Sequence, residues 1–194
     1  QSSINSFGDV VMSGNAAAGN IEGFIYATLN AFHQTAVNFI GQNAGARQYK
    51  RVAKIVGICL GSVAVTGLIL GSLVYKTGPF LLSLYITDSP EATQWGMIRL
   101  SIVCLLYFIC GMMDVSTGAL RGYGQSLTPM IISVLGICGI RVLWVYTVFQ
   151  LPAFHSPQWL YISYPVSWFV TLVVQTVFFL RVRQRFLNSS VETA

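Results

Sequence analysis

Residues 55–75 and 158–180 carry no charged side chain. Each run is long enough to cross a hydrocarbon core of roughly 30 Å, which takes about 20 mostly apolar residues in a helix. Such runs leave few folds open. Backbone N–H and C=O groups have no water to bond in lipid, so the chain must satisfy them internally as helices. Composition agrees: 9% of the 194 residues are charged, 54% are hydrophobic and the mean hydropathy is +0.65, whereas an ordinary soluble domain is about 25% charged. The fold class expected is all-α, a polytopic membrane helix bundle.

Five full spans are expected at 15–41, 54–75, 95–117, 128–150 and 158–181. Residues 1–14 read as the end of a sixth, preceding helix with its outer loop, and 182–194 as a tail. Cytoplasmic loops hold the excess of Lys and Arg, which tests the count. Arg47, Lys50, Arg51, Lys54, Arg121, Arg181, Arg183 and Arg185, eight of the eleven basic residues, fall at one end; Lys76 lies at the other with Asp9, Asp88 and Glu91. The expectation is a multi-pass protein of the plasma (inner) membrane with a cytoplasmic C-terminus. The chain opens at Gln1 without an initiator Met or the pattern of a signal peptide, so a longer protein is expected. Residues 78–86 (GPFLLSLYI) are too short to cross and are expected along the outer interface. Ser126 or Thr128 is expected to cap the fourth span, and Pro165 to kink the fifth.

Small residues recur four apart at Gly57 and Gly61, Gly67 and Gly71, Gly118 and Gly122, a spacing that lets helices approach closely in lipid. Cys59, Cys104, Cys110 and Cys138 lie in apolar stretches without metal-ligand spacing and read as packing residues. The net charge of +5 belongs to topology; no basic groove with interleaved aromatics points to nucleic acid. No H-E-x-x-H, G-x-S-x-G or phosphate-binding glycine loop is found. "GALRGYG" at 118–124 follows a membrane helix instead of a strand, so it is no dinucleotide fingerprint. An enzyme is not expected.

The residues that carry chemistry are ionisable groups in or near the spans: Glu22, His33, Arg99, Asp114, Arg121 and Arg141. Such groups cost several kcal/mol in lipid, so they face a bundle interior or a watery cavity. At about 100° per residue, Tyr26, Asn30, His33 and Gln34 fall at roughly 40°, 80°, 20° and 120° from Glu22, on one face. A wet cleft gives this stripe a use; hydrogen bonds to neighbouring helices are the plainer alternative. With about 1.5 Å of rise per residue, Glu22 lies about 10 Å below the outer end of its span and Arg141 at a similar level. A cation-binding Glu22 and a structural Glu22–Arg141 ion pair therefore both stand. Asp114 falls near the inner surface, where capping or a loop contact is expected, and Arg99 is close enough to the outer face to snorkel. Tyr26, Phe32, Trp144 and Tyr161 are aromatics able to pack on flat cations.

Two segments resemble a known family. NFIGQNAGARQYKRV at 38–52, with Gly41, Gln42, Gly45 and Ala46 ahead of a basic loop, resembles the end of the second helix of each half in multidrug and toxic compound extrusion (MATE) transporters. GALRGYGQSLTPMIIS at 118–133, with Gly118, Leu120, Arg121 and Gly122, and GIRVLWVY at 139–146 resemble the loop and following helix of the C-terminal half. With LYITDSP at 84–90, the ordered set covers essentially the whole chain. The resemblance implies the end of the seventh helix and helices eight to twelve of a twelve-helix transporter, with an N-terminal lobe missing from this sequence. It also implies exchange of H+ or Na+ for organic cations by alternating access, with membrane lipid as surroundings and no cofactor. Sodium-coupled members use acidic residues on the seventh and tenth helices, but Asp114 stands four residues before Gly118, and the ion-ligand role is not transferred to it. The cleft residues expected are Glu22, Tyr26, Asn30, His33, Gln34 and Arg141. The alternatives are a lipid-linked saccharide flippase of the same superfamily, for which Arg99 and Arg141 would hold a phosphate, and a membrane-embedded structural or enzymatic subunit.

Overall fold

The computed structural model describes residue 4, residues 6–87 and residues 89–192, with 189–192 described by backbone alone. Part of the expected outer loop (1–3 and 5) and Asp88 lie outside the described residues. Among the described residues, seven α-helices are delimited in order: α1 (Asp9–Gly45), α2 (Tyr49–Ser83), α3 (Pro90–Val103), α4 (Tyr107–Gly122), α5 (Leu127–Ser133), α6 (Ile140–Tyr146) and α7 (Pro157–Glu192). A π-helical turn, Val134–Gly139, joins α5 to α6, and two short 3-10 turns, Val148–Gln150 and Pro152–Phe154, lead into α7.

By length and composition, Tyr49–Ser83, Leu127–Gln150 and Pro157–Asn188 can each cross a membrane, and α3 with α4 makes a fourth span if the bent pair is counted as one. At 37 residues, α1 is about 55 Å long, yet it is not among these apolar helices because its polar stripe dilutes its hydropathy. It begins at Asp9, earlier than the expected 15. Gly8 starts it at φ 92, a left-handed conformation that glycine adopts without a Cβ penalty, and Asp9 in the first turn suits the positive end of the helix dipole.

Residues 78–83 form no separate segment but continue α2 through Pro79. Gly78 packs on α3, where a Cβ would stand 2.6 Å from the Met97 sulfur. The expected third span is two helices bent by 48° at residues 104–106. Ser89 caps the first of them, its Oγ accepting from the Ala92 N–H at 3.2 Å, with Pro90 at the first helical positions, where the missing N–H is no loss. The bend rests on α2, since a Cβ on Gly71 would collide with the Cys104 carbonyl oxygen and one on Gly67 would stand 2.8 Å from Phe108 Cα. Gly118 and Gly122 make the same kind of approach to α1, at His33 and at Ile40 and Gly41. Gly57 and Gly61 meet nothing within 4 Å, so only two of the three small-residue pairs are helix contacts among the described residues.

The core lies where α1, α2 and α4 meet, with Leu29, Val63 and Val115 wholly buried. Helix α3 closes one end and α7 packs on α4. Ile58, Val65, Ile69 and Leu73 on α2 and Leu135, Val142 and Leu143 along the α5–α6 stretch are exposed, an apolar surface suited to lipid. Ser126 precedes α5 without capping it through its side chain, and Pro129 sits in the first turn. Helix α7 continues unbroken through Pro165.

Candidate functional site

The close packing of α1 on α3 decides the fate of Glu22. Gly14 has no Cβ to collide with the Ala92 carbonyl oxygen, and Gly96 opposes it from α3. Two turns further along α1, Glu22 meets Arg99. The guanidinium donates from Nε to Glu22 Oε1 at 2.7 Å and from Nη2 to Oε2 at 2.6 Å, the bidentate geometry that suits a carboxylate best. Its Nη1 donates to Asn15 Oδ1 at 2.5 Å. Both charged side chains are 8% exposed, so Arg99 does not snorkel to the outer face. Among the described residues, Glu22 pairs with Arg99 and not with Arg141.

Arg141 occupies a different setting. Its Nε donates to Ser167 Oγ at 3.2 Å, and its guanidinium carbon lies 3.9 Å from the ring centroid of Tyr164 and 5.9 Å from that of Trp168. Tyr164 sits between two cations, because Arg99 lies 5.3 Å from the same ring. No carboxylate among the described residues forms an ion pair with Arg141.

Two adjoining cavities open along α1. The first, about 260 Å³, is walled by Glu22, Tyr26, Tyr107, Asp114, Arg141 and Trp168, among others. The second, also about 260 Å³, is walled by Tyr26, Asn30, His33, Gln34, Asp114 and Arg121, with Thr117 and Ser133 nearby. Tyr26, Met113, Asp114 and Ile137 belong to both walls. The polar stripe of α1 is therefore gathered on one cleft-facing side, with Asn30 Nδ2 donating to the Tyr26 hydroxyl at 3.5 Å. His33 is buried, and its Nδ1 lies 2.7 Å from the backbone oxygen of Asp114. A carbonyl only accepts, so Nδ1 carries the proton. Gly118 allows this contact, since a Cβ there would stand 2.7 Å from the His33 carbonyl oxygen.

Asp114 was expected at a cap or loop. It stands instead in the interior turns of α4, in the wall shared by both cavities, and its buried Oδ2 has no hydrogen-bond partner among the described residues. The sequence carries a signal for this: Cys110, Asp114, Thr117 and Arg121 lie four, three and four apart, on one face of a helix.

A second feature escaped the sequence reading, although its spacing is plain. Ser163, Ser167, Thr171 and Gln175, four apart along α7, are all buried. Ser167 meets Arg141, Gln175 Nε2 donates to Ser133 Oγ at 3.0 Å, and a Cβ on Gly136 would collide with Thr171 Oγ1. This polar stripe fastens α7 to the broken helix in the way small and hydroxylated residues join helices in lipid. The aromatic wall likewise comes from Tyr107, Tyr164 and Trp168, joined by the expected Tyr26. Trp144 donates to the Trp159 carbonyl at 3.0 Å and Tyr161 is wholly buried.

Of the motif residues, Gly122 and Gly41 face each other, a Cβ on Gly41 standing 3.7 Å from the Gly122 oxygen, and Leu120 is wholly buried. Gln42, Gly45, Ala46 and Arg121 are exposed, and Ala46 ends α1 with its N–H on the Gln42 oxygen.

Comparison with known proteins places this arrangement. The MatE family model matches residues 1–147. The chain is 25% identical over 151 residues to a probable multidrug resistance protein NorM of Aromatoleum aromaticum, covering 77% of this chain and 31% of that protein. It is 30% identical over 140 residues to a probable multidrug resistance protein YpnP of Bacillus subtilis, covering 71% and 31%. The chain thus spans about a third of the length of these relatives. In fold, it superposes on the crystal structure of the Vibrio cholerae MATE transporter VcmN in the bent form with a TM-score of 0.84 and 18% identity, over 95% of this chain and 41% of that one.

Proposed function

Because the chain belongs to the MatE family of multi-pass membrane proteins, we propose that it is the greater part of the C-terminal lobe of a secondary antiporter. The complete protein exports organic cations in exchange for H+ or Na+ by alternating access, and the N-terminal lobe of the same chain completes the cleft. The basic residues from Arg47 to Lys54 and from Arg181 to Arg185 support a cytoplasmic C-terminus in the plasma membrane.

The observation that carries the reading is Asp114, a carboxylate in the wall common to two cavities with a buried oxygen that has no hydrogen-bond partner among the described residues. An unpaired acid at membrane depth marks a substrate or ion route. Binding of either cation there biases the same conformational equilibrium, and competition for one charge couples the two fluxes. Tyr26, Asn30, His33 and Gln34 line the path beside it. Glu22, held by Arg99, positions α1 against α3 and leaves the cation to Asp114.

Asp114→Asn in the full-length transporter is expected to lower efflux of a fluorescent cation such as ethidium from energised vesicles by about tenfold or more, a loss of at least one charge-assisted contact, at an unchanged thermal midpoint. Wild-type efflux by this variant would remove Asp114 from the mechanism. The flippase reading now draws on Arg141 alone, because Arg99 is engaged by Glu22.

A further inference from the structure

We propose that Arg141 anchors an acidic group, a carboxylate or phosphate carried on an aromatic molecule, in the first of the two cavities. The inference rests on the transporter reading and adds a ligand chemistry to it. The two intramembrane arginines supply the argument by contrast. Arg99 is bonded to both oxygens of a carboxylate and to an amide, so its charge is compensated within the lobe. Arg141 has one hydroxyl and two aromatic faces. Of the five N–H donors of a guanidinium, the Ser167 bond uses one. The remaining donors have no acceptor among the described residues.

Glu22, Asp114 and Arg99 are the other charged groups around this space. Glu22 is engaged by Arg99, and neither acid forms an ion pair with Arg141. A cation left in this state at membrane depth is costly, and such residues mark ligand paths. Its immediate surroundings suit recognition. The Tyr164 ring, 3.9 Å from the guanidinium carbon, and the Ser167 bond hold the guanidinium in place before a ligand arrives, and a carboxylate or phosphate accepts two parallel bonds from such a fork. Tyr26, Tyr107 and Trp168 line the same space, and their faces accept a flat ring by offset or edge contacts. The ligand's acidic group is held by Arg141 while any positive charge it carries is left for Asp114, which lines the same wall.

The test is equilibrium binding to the full-length transporter in detergent by calorimetry, with 2-naphthoate and its uncharged isostere 2-naphthamide. The naphthoate is expected to bind about tenfold or more tighter than the amide, the discrimination that a charged hydrogen-bonded pair supplies. Arg141→Gln is expected to bring the two within about twofold, and Arg141→Lys, which keeps charge without the planar fork, to fall between them. Equal binding of acid and amide to the unaltered protein, binding of neither, or a preference that survives Arg141→Gln overturns the proposal. The acid and amide comparison on the unaltered protein decides even where Arg141→Gln does not fold. Ethidium efflux by the unaltered protein that continues alongside equal binding sinks this inference alone, whereas absence of ethidium efflux by the unaltered protein strikes the transporter reading.

Discussion

Glu22 and Asp114 are both carboxylates on cleft-lining helices, and they live in opposite surroundings. Glu22 lies where α1 and α3 touch backbone to backbone at Gly14 and Gly96, and both its oxygens are bonded to Arg99. Asp114 lies where α4 borders empty space, and its buried oxygen has no hydrogen-bond partner among the described residues. The difference teaches that depth in the membrane does not by itself make a charge functional. What matters is whether the fold has already supplied its counter-charge. A compensated pair holds helices together, and the role proposed for Asp114 rests on its charge being left uncompensated.

The comparison breaks most visibly at Glu22. Replacing it with Gln leaves Arg99 buried without its counter-ion, and a loss of about 3–5 kcal/mol is expected, read as a large drop in the thermal midpoint of the full-length protein in detergent. Replacing Glu22 with Leu and Arg99 with Met together is expected to recover most of that loss, because an apolar pair leaves no buried charge uncompensated. A Glu22→Gln protein of unchanged stability but lowered efflux would reverse the assignment of roles. A smaller effect is expected where packing alone is at stake: Gly71→Val drives a side chain into the Cys104 carbonyl, costing about 1–3 kcal/mol by overpacking in the same melt. His33→Phe keeps the ring and removes the bond to the Asp114 carbonyl, about 1 kcal/mol, and a shift beyond that would show that His33 supports more than this contact. The smallest effect belongs to Gly57→Val, which meets open space and should stay within about 0.5 kcal/mol; a larger loss would place a helix contact there.

Much of the fold is legible in the sequence, because lipid imposes strong rules. Uncharged runs gave the helices, and helical spacing gathered Tyr26, Asn30, His33 and Gln34 on one side. Lateral neighbours were not legible. Depth arithmetic gives levels along the membrane normal, and Arg99 and Arg141 are both near enough to the level of Glu22 to compete for it. Which one wins depends on α3 lying directly against α1, a fact set by Gly14 and Gly96 in segments far apart in sequence. Ending the span at 117 puts Asp114 near a cap or loop, whereas α4 runs to Gly122 and leaves it in the interior turns. The bend at 104–106 left no mark either: no proline or glycine stands there, and its seat is Gly71 of another helix.

The π-helical turn at Val134–Gly139 acts as a frameshift in three dimensions. Bonding one residue further along adds about one residue to a turn, so Ser133 and Arg141, eight apart, stand as if they were seven apart. In an unbroken α-helix they would diverge by about 80°, and with the extra residue they stay within about 20°. Ser133, Ile137 and Arg141 share the cleft side, more tightly aligned than the roughly 80° spread of a wheel at constant pitch. The register of this stretch, as much as its composition, determines which way Arg141 faces. Losing one residue from the turn would rotate every side chain beyond it by about 100° and carry the guanidinium from the cleft towards lipid.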